Sequence, residues 1–118
     1  MKVLNIDDST VNNMLMENLL SSFGYETYSM LEGTDVLEKI EEYQPDVIIL
    51  DMMMPQRSGL DVLEDIRAKG IHIPVIVITA MKDKTLKQKA MRLGVADYQT
   101  KPVKMATLKA SIEHALKA

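Results

Sequence analysis

Val47-Ile48-Ile49-Leu50-Asp51 is the most informative segment of the chain. It is continuously apolar and rich in β-branched side chains, the pattern of a central strand covered on both faces, and it runs straight into a carboxylate. Val75-Ile76-Val77-Ile78 repeats the pattern and ends on Thr79. Outward from these two runs lie three further strands, Lys2 to Ile6, Tyr25 to Ser29 and a shorter Ala96 to Thr100. Amphipathic stretches alternate with them. The first places Val11, Met14, Leu15, Leu19 and Phe23 on one face, with Gly24 as its stop. The second buries Val36, Leu37 and Ile40 and ends before Pro45, which also restrains Gln44. Pro55 and Gly59 punctuate a loop, and Ser58 with Asp61 resembles a capping box opening a helix that buries Leu60, Leu63 and Ile66. After Gly70 and Pro74 comes the fourth strand; a helix then turns Leu86, Ala90 and Leu93 inward. The last, from about Lys104, buries Met105, Leu108, Ile112 and Leu116. Strand and helix in alternation predict an α/β fold, a doubly wound five-stranded parallel sheet with crossover helices.

Composition agrees with one globular domain over residues 1–118, with no output domain in this chain. Of 118 residues 47% are apolar and 26% charged, and folding at this length buries roughly two thirds of the unfolded surface. Zero cysteines exclude a disulfide framework, a thiolate zinc site, a redox CxxC pair and a cysteine nucleophile. No apolar run approaches the ~20 residues that span a bilayer, and Met1-Lys2 leads directly into a strand with no signal-type region. A soluble, cytoplasmic, membrane-free protein is expected. The net charge of −3 hides an imbalance: residues 1–59 carry 3 basic and 11 acidic side chains, residues 60–118 carry 11 and 6. Two solvated surfaces explain this; so do an acidic site early in the chain and a docking face for an acidic partner late in it.

Polar residues fall where strands one, three, four and five finish: Asp7-Asp8, Asp51, Thr79 and Lys101. All four ends share one edge. With strand order 2-1-3-4-5 the ligand crevice lies between strands one and three, and Asp7, Asp8 and Asp51 meet there. Singly, each aspartate reads as a helix cap or turn residue. Together they repel one another unless a cation or proton offsets the charge. An oxygen-only site of this kind suits Mg²⁺ rather than zinc or copper. Lys101 offers a compact charge to a phosphate and Thr79 a hydroxyl. Asp51, central on the edge, is the candidate nucleophile for an aspartyl-phosphate.

These residues resemble the receiver domain of two-component response regulators over the whole chain. The matching pieces are Asp7-Asp8-Ser9, Asp51-Met52-Met53-Met54-Pro55 with Gly59, Ile78-Thr79-Ala80, and Tyr98 with Lys101-Pro102. The resemblance implies a flavodoxin-like receiver fold with Asp51 as phosphoacceptor. Asp7 and Asp8 would serve Mg²⁺, whose protein ligands would be Asp8, Asp51 and the backbone carbonyl of Met53. Lys101 would contact the phosphoryl group and Thr79 would hydrogen-bond it. Tyr98 would be the switch aromatic, its ring turning inward as Thr79 moves, although an edge-strand tyrosine with a wet hydroxyl fits the residue as well. Lys101-Pro102 is a candidate cis peptide. Donors would be a histidine kinase or phosphotransfer protein, and a downstream protein partner would dock on helix four, strand five and helix five. The chain would be a signalling phosphoacceptor, not a metabolic enzyme, assisting only its own phosphorylation and dephosphorylation.

Some residues depart from that pattern. Asn5 and Gln99 are polar in strand positions, so each needs a partner or an exposed edge. Met53 and Met81 occupy positions that influence phosphate lifetime in the family, and neither thioether is expected to activate water. The Met52-Met53-Met54 run reads as gap-filling or as an adaptable docking patch. His72 and His114 lack a second ligand at helical spacing. Lys82, Lys84, Lys87, Lys89 and Arg92 surround helix four with only Asp83 opposing, a solvated face or a docking surface; no nucleic-acid motif accompanies them, so direct nucleic-acid contact is not expected. Two rival classes remain. A haloacid-dehalogenase-like phosphatase needs a second aspartate where Met53 stands; a receiver-like scaffold that binds partners without phosphorylation would not need Asp51, Thr79 and Lys101 together.

Overall fold

The computed structural model describes residues 1–54, 58–80 and 82–117. Pro55 and Met81, both weighed above, lie outside the described residues. Ten elements follow in strict alternation: β1 (Lys2–Ile6), α1 (Thr10–Ser22), β2 (Glu26–Met30), α2 (Val36–Tyr43), β3 (Val47–Asp51), α3 (Gly59–Ala68), β4 (Val75–Thr79), α4 (Lys84–Arg92), β5 (Asp97–Thr100) and α5 (Met105–Lys117). All strand pairs are parallel, in the order β2-β1-β3-β4-β5. The sheet is the expected one. β3 and β4 are buried at every position, as their unbroken apolar runs require. No helix among the described residues is long and apolar enough to cross a membrane.

Alternate strand residues face two apolar layers. One gathers Leu4, Ile6, Ile48, Leu50, Val75 and Val77 with Val36, Ile40, Leu63, Ile66 and Ala90 of α2, α3 and α4. The other gathers Val3, Val47, Ile49, Ile76 and Ile78 with Leu20, Leu108 and Ile112 of α1 and α5. Buried aliphatic side chains of this kind each stabilise the fold by about 1.5–3 kcal/mol relative to exposure.

Helix ends obey local chemistry. Ser9 Oγ accepts the Asn12 N–H, Ser58 Oγ the Asp61 N–H, and Asp83 Oδ1 the N–H groups of Thr85 and Leu86. Gly24 closes α1 at φ +85°, a conformation that glycine adopts without a Cβ penalty. Arg67 was not singled out by the sequence, yet its guanidinium donates to the carbonyls of Ile71, Ile73, Leu93 and Gly94 and fastens the α3–β4 loop to the α4–β5 loop. Burial pushes its pKa below the usual arginine range.

Several expectations need correcting. Val11, Met14 and Leu15 are exposed on α1, whose inward face is built on Asn13 and Leu20, with Met16, Leu19 and Phe23 half-buried. The apolar face was misread because α1 has apolar residues on both sides, and hydropathy cannot show that buried Asn13 has partners. Met105 is exposed at the first turn of α5, and the helix buries Leu108, Ile112 and, in its last turn, Ala115. In α3, Val62 joins Leu63 and Ile66 in the core while Leu60 is half-buried. β2 starts one residue later than expected, at Glu26. Gln44 takes a left-handed conformation at φ 53° as the C-cap of α2.

Candidate functional site

β1 and β3 are neighbours, with Ile6 beside Leu50, and both run out at the same edge. The chain beyond Ile6 therefore brings Asp7 and Asp8 next to Asp51. Carboxylate oxygens of the three lie within 4.8 Å of one another, Asp7 and Asp51 buried and Asp8 exposed. Lys101 follows β5 and reaches across β4: its Nζ lies 3.2 Å from Asp7 Oδ2 and 3.4 Å from Asp51 Oδ2. The Lys101 backbone N–H donates to Thr79 O at 2.8 Å, and the Lys101-Pro102 peptide is cis as expected.

Hydrogen bonds hold the Asp7 and Asp51 carboxylates in place. Asp51 Oδ1 accepts the Met53 N–H at 3.1 Å. Asp7 Oδ1 accepts the Ser9 N–H at 2.9 Å, and Asn12 Nδ2 lies 3.4 Å from Asp7 Oδ2. Burial raises the Asp51 pKa; the Met53 N–H and the Lys101 charge oppose that shift and the Asp7 charge adds to it. Burial alone would lower the Lys101 pKa, but the carboxylates of Asp51 and Asp7 outweigh it and raise the value. Lys101 is thus firmly cationic beside two aspartates. Two buried carboxylates and a third at the surface exceed what one lysine neutralises, and a donor set made only of oxygen fits a hard cation.

Thr79 is fully buried at the end of β4, one residue beyond Ile78, which pairs with Asp51. Tyr98 pairs with Val77 in the register and packs against the α2–α3–α4 layer. Its hydroxyl is buried without a hydrogen-bond partner among the described residues. Burial raises its pKa, and the Asp83 charge adds to the shift. The wet edge tyrosine is not what is seen. Met52 and Met54 are buried gap-fillers, whereas Met53 is 49% exposed beside Asp51.

Asn5 and Gln99 both have partners. Asn5 Nδ2 donates to Asn13 Oδ1 at 2.8 Å. Gln99 Nε2 donates to Asp97 Oδ2 and to Ser111 Oγ, and Ser111 Oγ donates to Asp97 Oδ2, tying α5 to β5. His72 and His114 are exposed. Lys82, Lys84, Lys87, Lys89 and Arg92 are exposed, with no salt bridge among the described residues. Asn12, whose Nδ2 meets Asp7 Oδ2, is the site residue without a reading in the sequence; its place in the first turn of α1, directly after the strand end that carries Asp7, is the signal that could have found it.

A cleft of about 510 Å³ opens on this edge, with Asp7, Asp51 and Lys101 at one end and Leu15, Leu19 and Val103 along its apolar wall. Chemically, the arrangement offers a carboxylate oxygen flanked by one fixed N–H donor, one ammonium and room for a small cation.

Comparison with known proteins gives the same family by independent routes. A family model, the response regulator receiver domain, matches residues 3–113. The Regulator of RpoS of Escherichia coli (strain K12) is 40% identical over 103 residues, covering 87% of this chain and 31% of the relative. The chain therefore spans under a third of the length of that curated relative. Among solved structures, the signal receiver domain of a putative Luxo repressor protein from Vibrio parahaemolyticus is 33% identical with a TM-score of 0.91, over 98% of this chain and 89% of that one. The Vibrio cholerae chemotaxis protein CheY4 is 27% identical with a TM-score of 0.89, over 98% of each chain. The chain belongs to the response regulator receiver domain family.

Proposed function

We propose that these 118 residues work as a single phosphorylatable receiver domain in the cytoplasm, with Asp51 as phosphoacceptor. The donor is a phosphohistidine on a histidine kinase or phosphotransfer protein. An Asp51 carboxylate oxygen forms a bond to phosphorus as the phosphorus–nitrogen bond of phosphohistidine breaks. The bonding pair leaves with the imidazole, which takes a proton from solvent. The observation that carries this reading is the convergence of Asp7, Asp8 and Asp51 with Lys101 bridging two of them.

Asp8, Asp51 and the backbone carbonyl of Met53 would hold Mg²⁺, with Asp7 completing the acidic pair. When bound, Mg²⁺ supplies positive charge against the phosphoryl oxygens. Lys101 supplies a second positive charge and leaves its aspartate partners for the incoming group. The Met53 N–H orients Asp51. Thr79 hydrogen-bonds the phosphoryl group, and Tyr98, already turned inward, responds to its movement. The exposed Val11, Met14 and Leu15 give α1 an apolar surface, of which Leu15 lines the cleft, a surface that a protein donor covers and a small molecule does not need.

Output falls to α4, β5 and α5, where the basic α4 surface supports docking of a downstream protein. The chain is a switch that assists only its own phosphorylation and dephosphorylation. The test is incubation with Mg²⁺ and acetyl phosphate. A hydroxylamine-labile acyl phosphate in wild type and none in Asp51→Asn is expected; partner control that survives Asp51→Asn would favour the phosphorylation-independent scaffold.

A further inference from the structure

Asn5 and Asn13 are 2% and 5% exposed, two amides in the layer that otherwise joins Val3 and Ile49 to Leu20. Asn5 Nδ2 donates to Asn13 Oδ1 at 2.8 Å, and Asn13 Nδ2 donates to the backbone carbonyl of Asp7 at 2.9 Å. That carbonyl belongs to the peptide joining Asp7 to Asp8. Every other polar atom of Asp7 is also engaged: its N–H donates to Met30 O, Oδ1 accepts from Ser9 N, and Oδ2 accepts from Asn12 and Lys101. Asp8, by contrast, is exposed and makes no side-chain hydrogen bond among the described residues. Among the described residues, only its backbone aims its carboxylate.

A packed core alone does not call for the Asn5–Asn13 bond, because replacing both members of a buried hydrogen-bonded pair by apolar groups of the same shape can leave stability nearly unchanged; what the bond adds is a fixed orientation for the Asn13 amide that holds the Asp7 carbonyl. We infer that the Asn5–Asn13 pair is a positioning device for the acidic pocket, fixing the plane of the Asp7-Asp8 peptide so that Asp8 projects toward Asp51. The inference rests on the proposed Mg²⁺ pocket and adds two residues that touch neither ion nor phosphoryl group. Asn5 acts at one remove, orienting Asn13. Partners that orient ligands in this way typically govern metal affinity by about 10–100-fold.

The test uses the variant Asn5→Leu/Asn13→Leu, which removes both amides at once and leaves only the Asp7 carbonyl without its partner, with Asp8→Asn as the comparison. Mg²⁺ is titrated into each protein in the absence of phosphodonor while the amide resonances of Ser9 and Met53 are followed by NMR, and urea unfolding is recorded in parallel. Wild type should titrate, Asp8→Asn should lose binding, and the double variant should bind about 10-fold or more weakly while staying cooperatively folded, its urea midpoint lowered only by the loss of the one bond to the Asp7 carbonyl. A double variant that binds Mg²⁺ like wild type, with Asp8→Asn still defective, overturns this inference alone. A wild type that does not titrate, or an Asp8→Asn that binds like it, overturns the pocket reading and this inference with it. If the double variant unfolds, the single variants Asn5→Leu and Asn13→Leu provide the comparison, and wild-type affinity in both overturns the inference.

Discussion

Lys101→Met removes the cation that lies between two buried carboxylates and keeps most of the side chain's length and apolar stem. At separations of 3.2 and 3.4 Å and an effective dielectric of about 20, each lost attraction is about 5 kcal/mol before desolvation is counted. Most of that is offset, because Lys101 no longer has to leave water and because the exposed Asp8 side of the site admits solvent. Breaking a fully buried pair costs about 3–5 kcal/mol; with the Lys101 side chain 27% exposed, a loss of about 2–3 kcal/mol is expected. For a urea m-value near 1.5 kcal/mol/M, the midpoint should fall by about 1.3–2 M in Mg²⁺-free buffer. The measurement is urea unfolding followed by far-UV circular dichroism. Millimolar Mg²⁺ should then stabilise Lys101→Met, because an ion that binds only the folded state adds RT ln(1 + [Mg²⁺]/Kd). Asp51→Asn in the Lys101→Met background should recover part of the loss by removing one of the two repelling charges. A Lys101→Met variant with the wild-type midpoint and no response to Mg²⁺ would refute the electrostatic reasoning.

Other substitutions probe the frame around the site. A Cβ on Gly59 would sit 2.4 Å from Asp51 O and 2.6 Å from Met52 Cα, so Gly59→Ala should cost about 1–3 kcal/mol in urea unfolding and slow phosphorylation by displacing the end of β3. The Asp97 carboxylate is itself partly buried, which alone would raise its pKa, but bonds from Ser111, Gln99 and the Tyr98 N–H and the charge of Lys87 hold it below the ordinary range. Its depressed folded pKa means a stabilising contribution present above about pH 4 and lost as pH falls through the folded value. Asp97→Asn should therefore lower stability at neutral pH by about 1 kcal/mol, with the difference from wild type closing at acid pH; a difference that widens in acid would contradict this. Tyr98→Phe deletes a buried hydroxyl that lacks a partner among the described residues, so the midpoint should hold or rise by up to about 1 kcal/mol equivalent.

All ten elements were legible because the apolar periods differ so clearly: β3 and β4 read as unbroken runs, and Gly24, Pro45 and Ser58 mark helix ends chemically; the strand order is not in those periods and comes with the doubly wound, receiver-like pattern. The acidic cluster was legible too, since parallel strands end together and the order 2-1-3-4-5 puts the ends of β1 and β3 side by side. What escaped was the inward face of α1. Asn13 is buried because Asn5 and the Asp7 carbonyl satisfy it, and no hydropathy pattern carries that information; Val11, Met14 and Leu15, apolar by composition, are left exposed. Arg67 escaped for the same reason, its four carbonyl partners being distant in sequence or hidden in loops.

As proposed, a carboxylate oxygen of Asp51 receives the phosphoryl group in a pocket that needs Mg²⁺. Borohydride reduction converts an aspartyl-phosphate to homoserine, which peptide mass mapping can locate. After exposure to a phosphohistidine donor with Mg²⁺, homoserine should be found at position 51, and its yield should collapse on chelation or in Asp8→Asn. Reduction at any other residue, or a yield at position 51 that is indifferent to Mg²⁺, would contradict the account.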